Sequence, residues 1–155
     1  MTRAWFLKGK TPEILCPATY EKIGISGTIN METGQVYSTI SDKFNADSFL
    51  NFIKSLISKI PYGKKFVMIL DNARPHHARK VTEYIEKNVS NLELLFLPPY
   101  SPNLNPAENV WKLLRKQATH NVYFDNLKSL YFKVENTLEE FAKPNISRKN
   151  YCMVI

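Results

Sequence analysis

A chain of 155 residues, 44% hydrophobic and 23% charged, suits one domain with a core of ordinary size and leaves no room for a second large one. Its formal charge of +7 favours a polyanionic partner, nucleic acid first among the candidates. Cys16 and Cys152 stand far apart without CxxC spacing, which argues against a zinc site or a disulfide framework. Lys8 and Lys10 interrupt the opening MTRAWFLKGKTP before a signal-peptide core develops, and no later apolar run reaches membrane-spanning length. A soluble, cytoplasmic protein with no membrane partner is expected.

In chain order, Ile23, Ile25 and Ile29 alternate with small or polar residues from Tyr20 to Asn30, the period of a half-buried strand. Met31 to Gly34 supplies a turn, and Gln35 to Ile40 reads as the hairpin partner. Asn45 is placed to cap a helix in which Phe49, Ile53, Leu56, Ile57 and Ile60 recur at helical spacing until Pro61. Lys65 to Leu70 (KFVMIL) is a continuous apolar run, the pattern of a strand buried on both faces. A short helix from Ala78 to Asn88 and a second buried strand from Leu92 to Leu97 complete a βαβ unit, so these strands should be parallel neighbours. Two more helices follow, Pro106 to Thr119 and Asn126 to Lys143.

The basic residues fall in groups: Lys64 and Lys65; Arg74, Arg79 and Lys80; Lys112, Arg115 and Lys116; Arg148 and Lys149. Asp71 follows the apolar run directly, and ligands collect at the carboxyl ends of strands in α/β sheets. The same Asp in Asp71-Asn72-Ala73-Arg74-Pro75 equally suits a turn with no chemistry attached. Glu108 likewise has two readings. With Asn105 as cap and Pro106 at the first helical position, it can simply complete a capping box. It can also project a carboxylate from the first turn, with Lys112 and Arg115 following on one helical face where phosphates could meet them. His76 and His77 lie at the same strand end and are expected to contact substrate at most.

Two segments then carry a resemblance. FVMILDNARPHHA (Phe66 to Ala78) and LLFLPPYSPNLNPAENVWKLLRK (from Leu94 into the helix) closely resemble the second and third acidic motifs of the DDE-type transposases of the mariner-like and insertion-sequence families. WFLKGKTP (Trp5 to Pro12) and the hairpin are similar to the stretch between the first and second acidic residues of that family. The resemblance implies an α/β ribonuclease H-like fold, a mixed sheet flanked by helices. It also implies two Mg2+ or Mn2+ ions held by three carboxylates, with cleavage of chromosomal DNA at transposon ends and joining to target DNA. Asp71 and Glu108 would be the second and third carboxylates, with Asn72, Arg74, His76, Lys112, Arg115 and Lys116 as DNA contacts.

The family's first Asp lies on a strand upstream of the part matching WFLKGK, and none of Glu13, Glu21, Glu32 and Asp42 sits in its motif. The family's helix-turn-helix region is not matched either. The expectation is therefore a single catalytic domain over residues 1–155, incomplete at its N-terminus and lacking its first, central strand, unless Arg3 to Lys8 fills in. Unpaired strand edges should make such a domain poorly stable alone. A catalytically inactive remnant that binds DNA, or assembles with itself or a full-length transposase, is the alternative.

Overall fold

The computed structural model describes residues 22–60 and 63–153, together with Gly9. Strands β1 (Gly24–Ile29) and β2 (Val36–Ser41) form an antiparallel hairpin in which Ile29 faces Val36 and Gly24 faces Ser41. The Asn30 side chain fixes the turn by accepting the N–H groups of Glu32 (2.8 Å) and Thr33 (3.2 Å). Gly34 closes it at φ +71°, where a Cβ would lie 2.1 Å from the Asn145 carbonyl oxygen, so both backbone angle and space demand glycine.

Helix α1 (Ala46–Ile57) starts at the expected cap: Asn45 accepts the Asp47 and Ser48 N–H groups, and the Ser48 hydroxyl takes the Asn45 N–H in return. It ends a turn before Pro61, which lies outside the described residues. Strand β3 (Phe66–Leu70), helix α2 (Arg79–Asn88) and strand β4 (Leu92–Phe96) form the expected parallel βαβ unit, with Phe66 opposite Leu92 and Leu70 opposite Phe96. Phe49, Phe52 and Ile53 of α1 pack with Val81 of α2 and with Met68 and Leu70 of β3 in one core.

Helix α3 (Pro106–Leu114) widens into a π-turn over Arg115–Thr119, and is followed by α4 (Leu127–Phe141) and α5 (Ile146–Cys152). A second core joins Ile29 and Val36 of the hairpin to Val110 and Leu114 of α3 and to Val134 and Phe141 of α4. Among the described residues no helix is long and apolar enough to cross a membrane.

The sheet expected to lack its central strand is, among the described residues, two two-stranded sheets, β1–β2 and β3–β4. Two other expectations are corrected. Strands β3 and β4 are buried on one face only: Val67, Ile69 and Leu95 are 55%, 43% and 51% exposed, because α3 and α4 close over the hairpin instead of this sheet. Arg148, grouped with the basic surface by sequence, is buried, and its guanidinium donates to the carbonyls of Gly34, Glu140, Phe141 and Lys143.

Candidate catalytic site at the carboxyl end of β3

Strand β3 delivers Asp71 to the mouth of the parallel pair, where the Leu97 N–H still bonds the Leu70 carbonyl (2.8 Å) and holds the two strand ends together. One carboxylate oxygen of Asp71, Oδ1, accepts the Ala73 N–H (3.0 Å), the turn bond that the Asp-Asn pairing suggested. The same oxygen lies 3.0 Å from His76 Nδ1. Nδ1 also faces the Asp71 carbonyl oxygen at 3.1 Å. Both partners are acceptors, so Nδ1 carries the proton and the ring steadies Asp71 through side chain and main chain together. The carboxylate remains half exposed, and Oδ2 takes no hydrogen bond among the described residues.

His76 itself is buried, 4.3 Å from the Phe49 ring and edge-on to Phe44 at 5.8 Å. Expected on the DNA side, it instead lies beneath the acidic residue. Replacing it by Phe should keep the packing but remove the donor, weakening Mn2+ binding about tenfold, with partial recovery in His76→Asn, whose amide can still donate. Titration of free Mn2+ by electron paramagnetic resonance measures this separately from any loss of stability.

Asn72 bridges the strands: its amide nitrogen donates to the Leu97 carbonyl (2.5 Å), and its Oδ1 lies 3.1 Å from His77 Nε2. The His77 ring stacks on Phe96 at 4.2 Å. Asn72 is exposed, but much of its polar capacity is committed to this scaffold.

Glu108 comes from the first turn of α3. Asn105 caps that helix by accepting the Ala107 N–H (3.0 Å), and Pro106 holds the first position. The Glu108 carboxylate does not close a capping box: among the described residues it makes no hydrogen bond or ion pair. It lines, with Asp71, Asn72 and Asn105, a cavity walled by the Leu97–Pro98 segment and Tyr100. Sequence reasoning missed Tyr100 as a site residue. It is fully exposed and held at φ +57°, a costly angle for a residue with a side chain; the Pro98-Pro99 pair before it is the signal that could have marked it. Arg74, Lys112, Arg115 and Lys116 are all exposed, and Lys112 Nζ donates to Asn109 Oδ1 at 3.3 Å. Among the described residues, no cluster of three or more His, Cys, Asp or Glu side chains is placed to hold a metal.

The chain is thus an α/β protein with two carboxylates, from a strand end and a helix start, lining one cavity. It belongs to the DDE superfamily endonuclease family, whose model matches residues 1–131. It is 25% identical over 135 residues to an uncharacterized 39 kDa protein of insertion element IS630 from Shigella sonnei, covering 87% of this chain and 39% of that protein. It is 26% identical over 112 residues to the transposable element Tcb2 transposase of Caenorhabditis briggsae, covering 68% of this chain and 40% of that one. Its fold matches chains in two Mos1 crystal structures, the strand transfer complex (TM-score 0.70, 19% identity) and the mariner paired end complex with Mn (TM-score 0.68, 22% identity). These matches cover 97% of this chain and 45% and 46% of the Mos1 chains. The chain therefore spans less than half the length of the relatives it matches.

Proposed function

We propose that this chain is the catalytic domain of a DDE transposase of ribonuclease H-like fold, cutting DNA at transposon ends and joining it to target DNA with divalent metal. The observation that carries this reading is the pair Asp71 and Glu108, drawn from separate elements into one cavity, each with carboxylate oxygen that no neighbour among the described residues occupies. Hard carboxylate oxygens suit Mg2+ or Mn2+. Bound there, the ions would supply Lewis-acid activation of the attacking oxygen and charge stabilisation at the leaving oxygen. His76 fixes the angle at which Asp71 offers its free oxygen. Lys112, Arg115 and Lys116 would bind DNA phosphates beside Glu108, and Arg74 beside Asp71. Tyr100 offers an unstacked base an aromatic face at the cavity edge.

Two carboxylates can hold one metal weakly and two metals poorly. The second reading is a DNA-binding or assembly remnant without chemistry. Nicking of supercoiled plasmid in Mn2+ separates the two. The chain is expected to nick and EDTA to abolish the nicking. A chain that binds plasmid but never cuts it would establish the remnant.

A further inference from the structure

At the mouth of the β3–β4 pair, a relay of contacts runs from Leu97 through Asn72 to His77, and each contact dictates the next. The Leu97 carbonyl can only accept, so the group of Asn72 that meets it at 2.5 Å is the amide nitrogen. That turns Oδ1 of Asn72 to the other side, 3.1 Å from His77 Nε2. An amide oxygen facing a ring nitrogen requires Nε2 to carry the proton. The ring is held in turn by its stack on Phe96, 4.2 Å between centroids and 21° between planes. Phe96 and Leu97 are consecutive, so His77 and Asn72 grip the end of β4 through a side chain and the next carbonyl together.

We propose that His77 is a positioning residue: by orienting the Asn72 amide it latches the end of β4 to the neighbour of Asp71, and so sets the direction in which the chain leaves for Glu108. The consequence for a shared cation rests on the metal reading above, whereas the latch itself does not. The two carboxylates belong to different packing units, Asp71 at the end of β3 and Glu108 on α3, whose Val110 and Leu114 join the hairpin core. Between them runs the segment from Leu97 to Asn105, with a 3-10 turn at Pro102–Leu104, and it walls the cavity that both carboxylates line. The start of this segment is fixed twice. The Leu97 N–H bonds the Leu70 carbonyl (2.8 Å), a bond that any residue but proline could make at 97. The Leu97 carbonyl takes the Asn72 amide, which needs Asn at 72 and a donor at 77. With both peptide groups of Leu97 held, its torsions are set, and Pro98 and Pro99, whose rings lock φ, carry that direction on to Tyr100. Sequence reasoning expected Asn72 to touch DNA; here both ends of its amide are engaged, and its part is to pass the His77 donor on to β4.

Two variants separate the donor from the ring. His77→Phe keeps the stack on Phe96 and loses the donor; His77→Gln loses the ring and keeps an N–H at a similar reach. Ring 15N NMR of the parent in mildly alkaline buffer should show the proton on Nε2. In His77→Phe, hydrogen exchange should quicken at least about tenfold at the N–H groups of Leu104 and Asn105, which close the 3-10 turn onto Ser101 and Pro102, and Mn2+ binding should weaken about tenfold. His77→Gln should recover most of both. Asn72→Ala should match His77→Phe, and the double variant should lose no more than either single one, because the two side chains act as one relay. A parent ring protonated on Nδ1 alone would overturn the proposal. So would His77→Phe behaving as the parent, His77→Gln failing as badly as His77→Phe, or additive losses in the double variant. Mn2+ bound equally by the parent and by Asp71→Asn, with the exchange effects as stated, would overturn the metal reading and leave the latch standing.

Discussion

Asp71→Asn and Glu108→Gln are each expected to lower metal-dependent nicking about a thousandfold or more, equivalent to ~4 kcal/mol of transition-state stabilisation, while the melting temperature stays nearly constant. The two effects separate because each substitution keeps shape and removes charge. The amide oxygen of an Asn at 71 can still accept the Ala73 N–H and the His76 Nδ1 proton, so the turn survives, but an amide is a poor ligand for a hard dication. Glu108 makes no bond among the described residues whose loss would destabilise α3. Lys112→Ala is the contrasting control. Its exposed ammonium should lower DNA affinity and reduce the salt dependence of binding by a slope of about 0.9, with the cutting rate at saturating DNA nearly unchanged. Activity retained within tenfold in either carboxylate variant would remove that residue from the chemistry.

The sequence made the elements legible because their determinants are local. Asn45 and Asn105 cap where spacing placed them, and the apolar runs around Met68 and Leu94 pair in parallel as a βαβ unit must. The turn bond at Asp71 was equally readable. What a single sequence could not reveal is which distant element covers which face. A continuous apolar run looks the same whether or not a second layer closes over it, so the exposure of Val67, Ile69 and Leu95 was invisible. His76 is buried by Phe44 of the β2–α1 connection and Phe49 of α1, some thirty residues earlier in the chain, and nothing in the sequence near it announces that. The motif placed both acidic residues, but the helix-capping alternative for Glu108 fell only to coordinates that leave its carboxylate unbonded.

A central strand would cover β1 and β3 edgewise and register the helices of the two cores against each other. Without one among the described residues, the hairpin core and the βαβ core meet across a cavity, and the acidic residues sit one on each side: Asp71 on the βαβ unit, Glu108 on the helix that packs against the hairpin.

Arg148→Ala is expected to destabilise the chain by about 3 kcal/mol, read as a drop in melting temperature of roughly 6 to 12 °C and a lower urea midpoint. Sequence grouping would make Arg148 a surface cation whose loss is nearly neutral for folding. The structure instead places its guanidinium beneath α5, where Nη1 donates to the carbonyls of Phe141 (2.6 Å), Gly34 (2.8 Å) and Lys143 (3.0 Å), and Nη2 to that of Glu140 (3.2 Å). It also lies 4.4 Å over the Phe141 ring. One side chain thereby closes the end of α4 and ties it to the hairpin turn, 114 positions away in sequence. The Asn145 N–H reinforces that junction by bonding the Thr33 carbonyl (2.8 Å). Lys at 148 should not rescue, because a single ammonium cannot reach four divergent carbonyls as a planar fork does. Arg148→Met keeps the stem's packing and loses every donor, so it should fall nearly as far as Arg148→Ala if the carbonyl bonds dominate, and much less if burial of the stem does. Arg115→Ala, on an exposed turn, should shift stability by less than about 0.5 kcal/mol while weakening DNA binding. The two arginines thus have opposite expected profiles, and an Arg148 variant that melts like the parent but binds DNA poorly would return Arg148 to the surface where its sequence neighbours placed it.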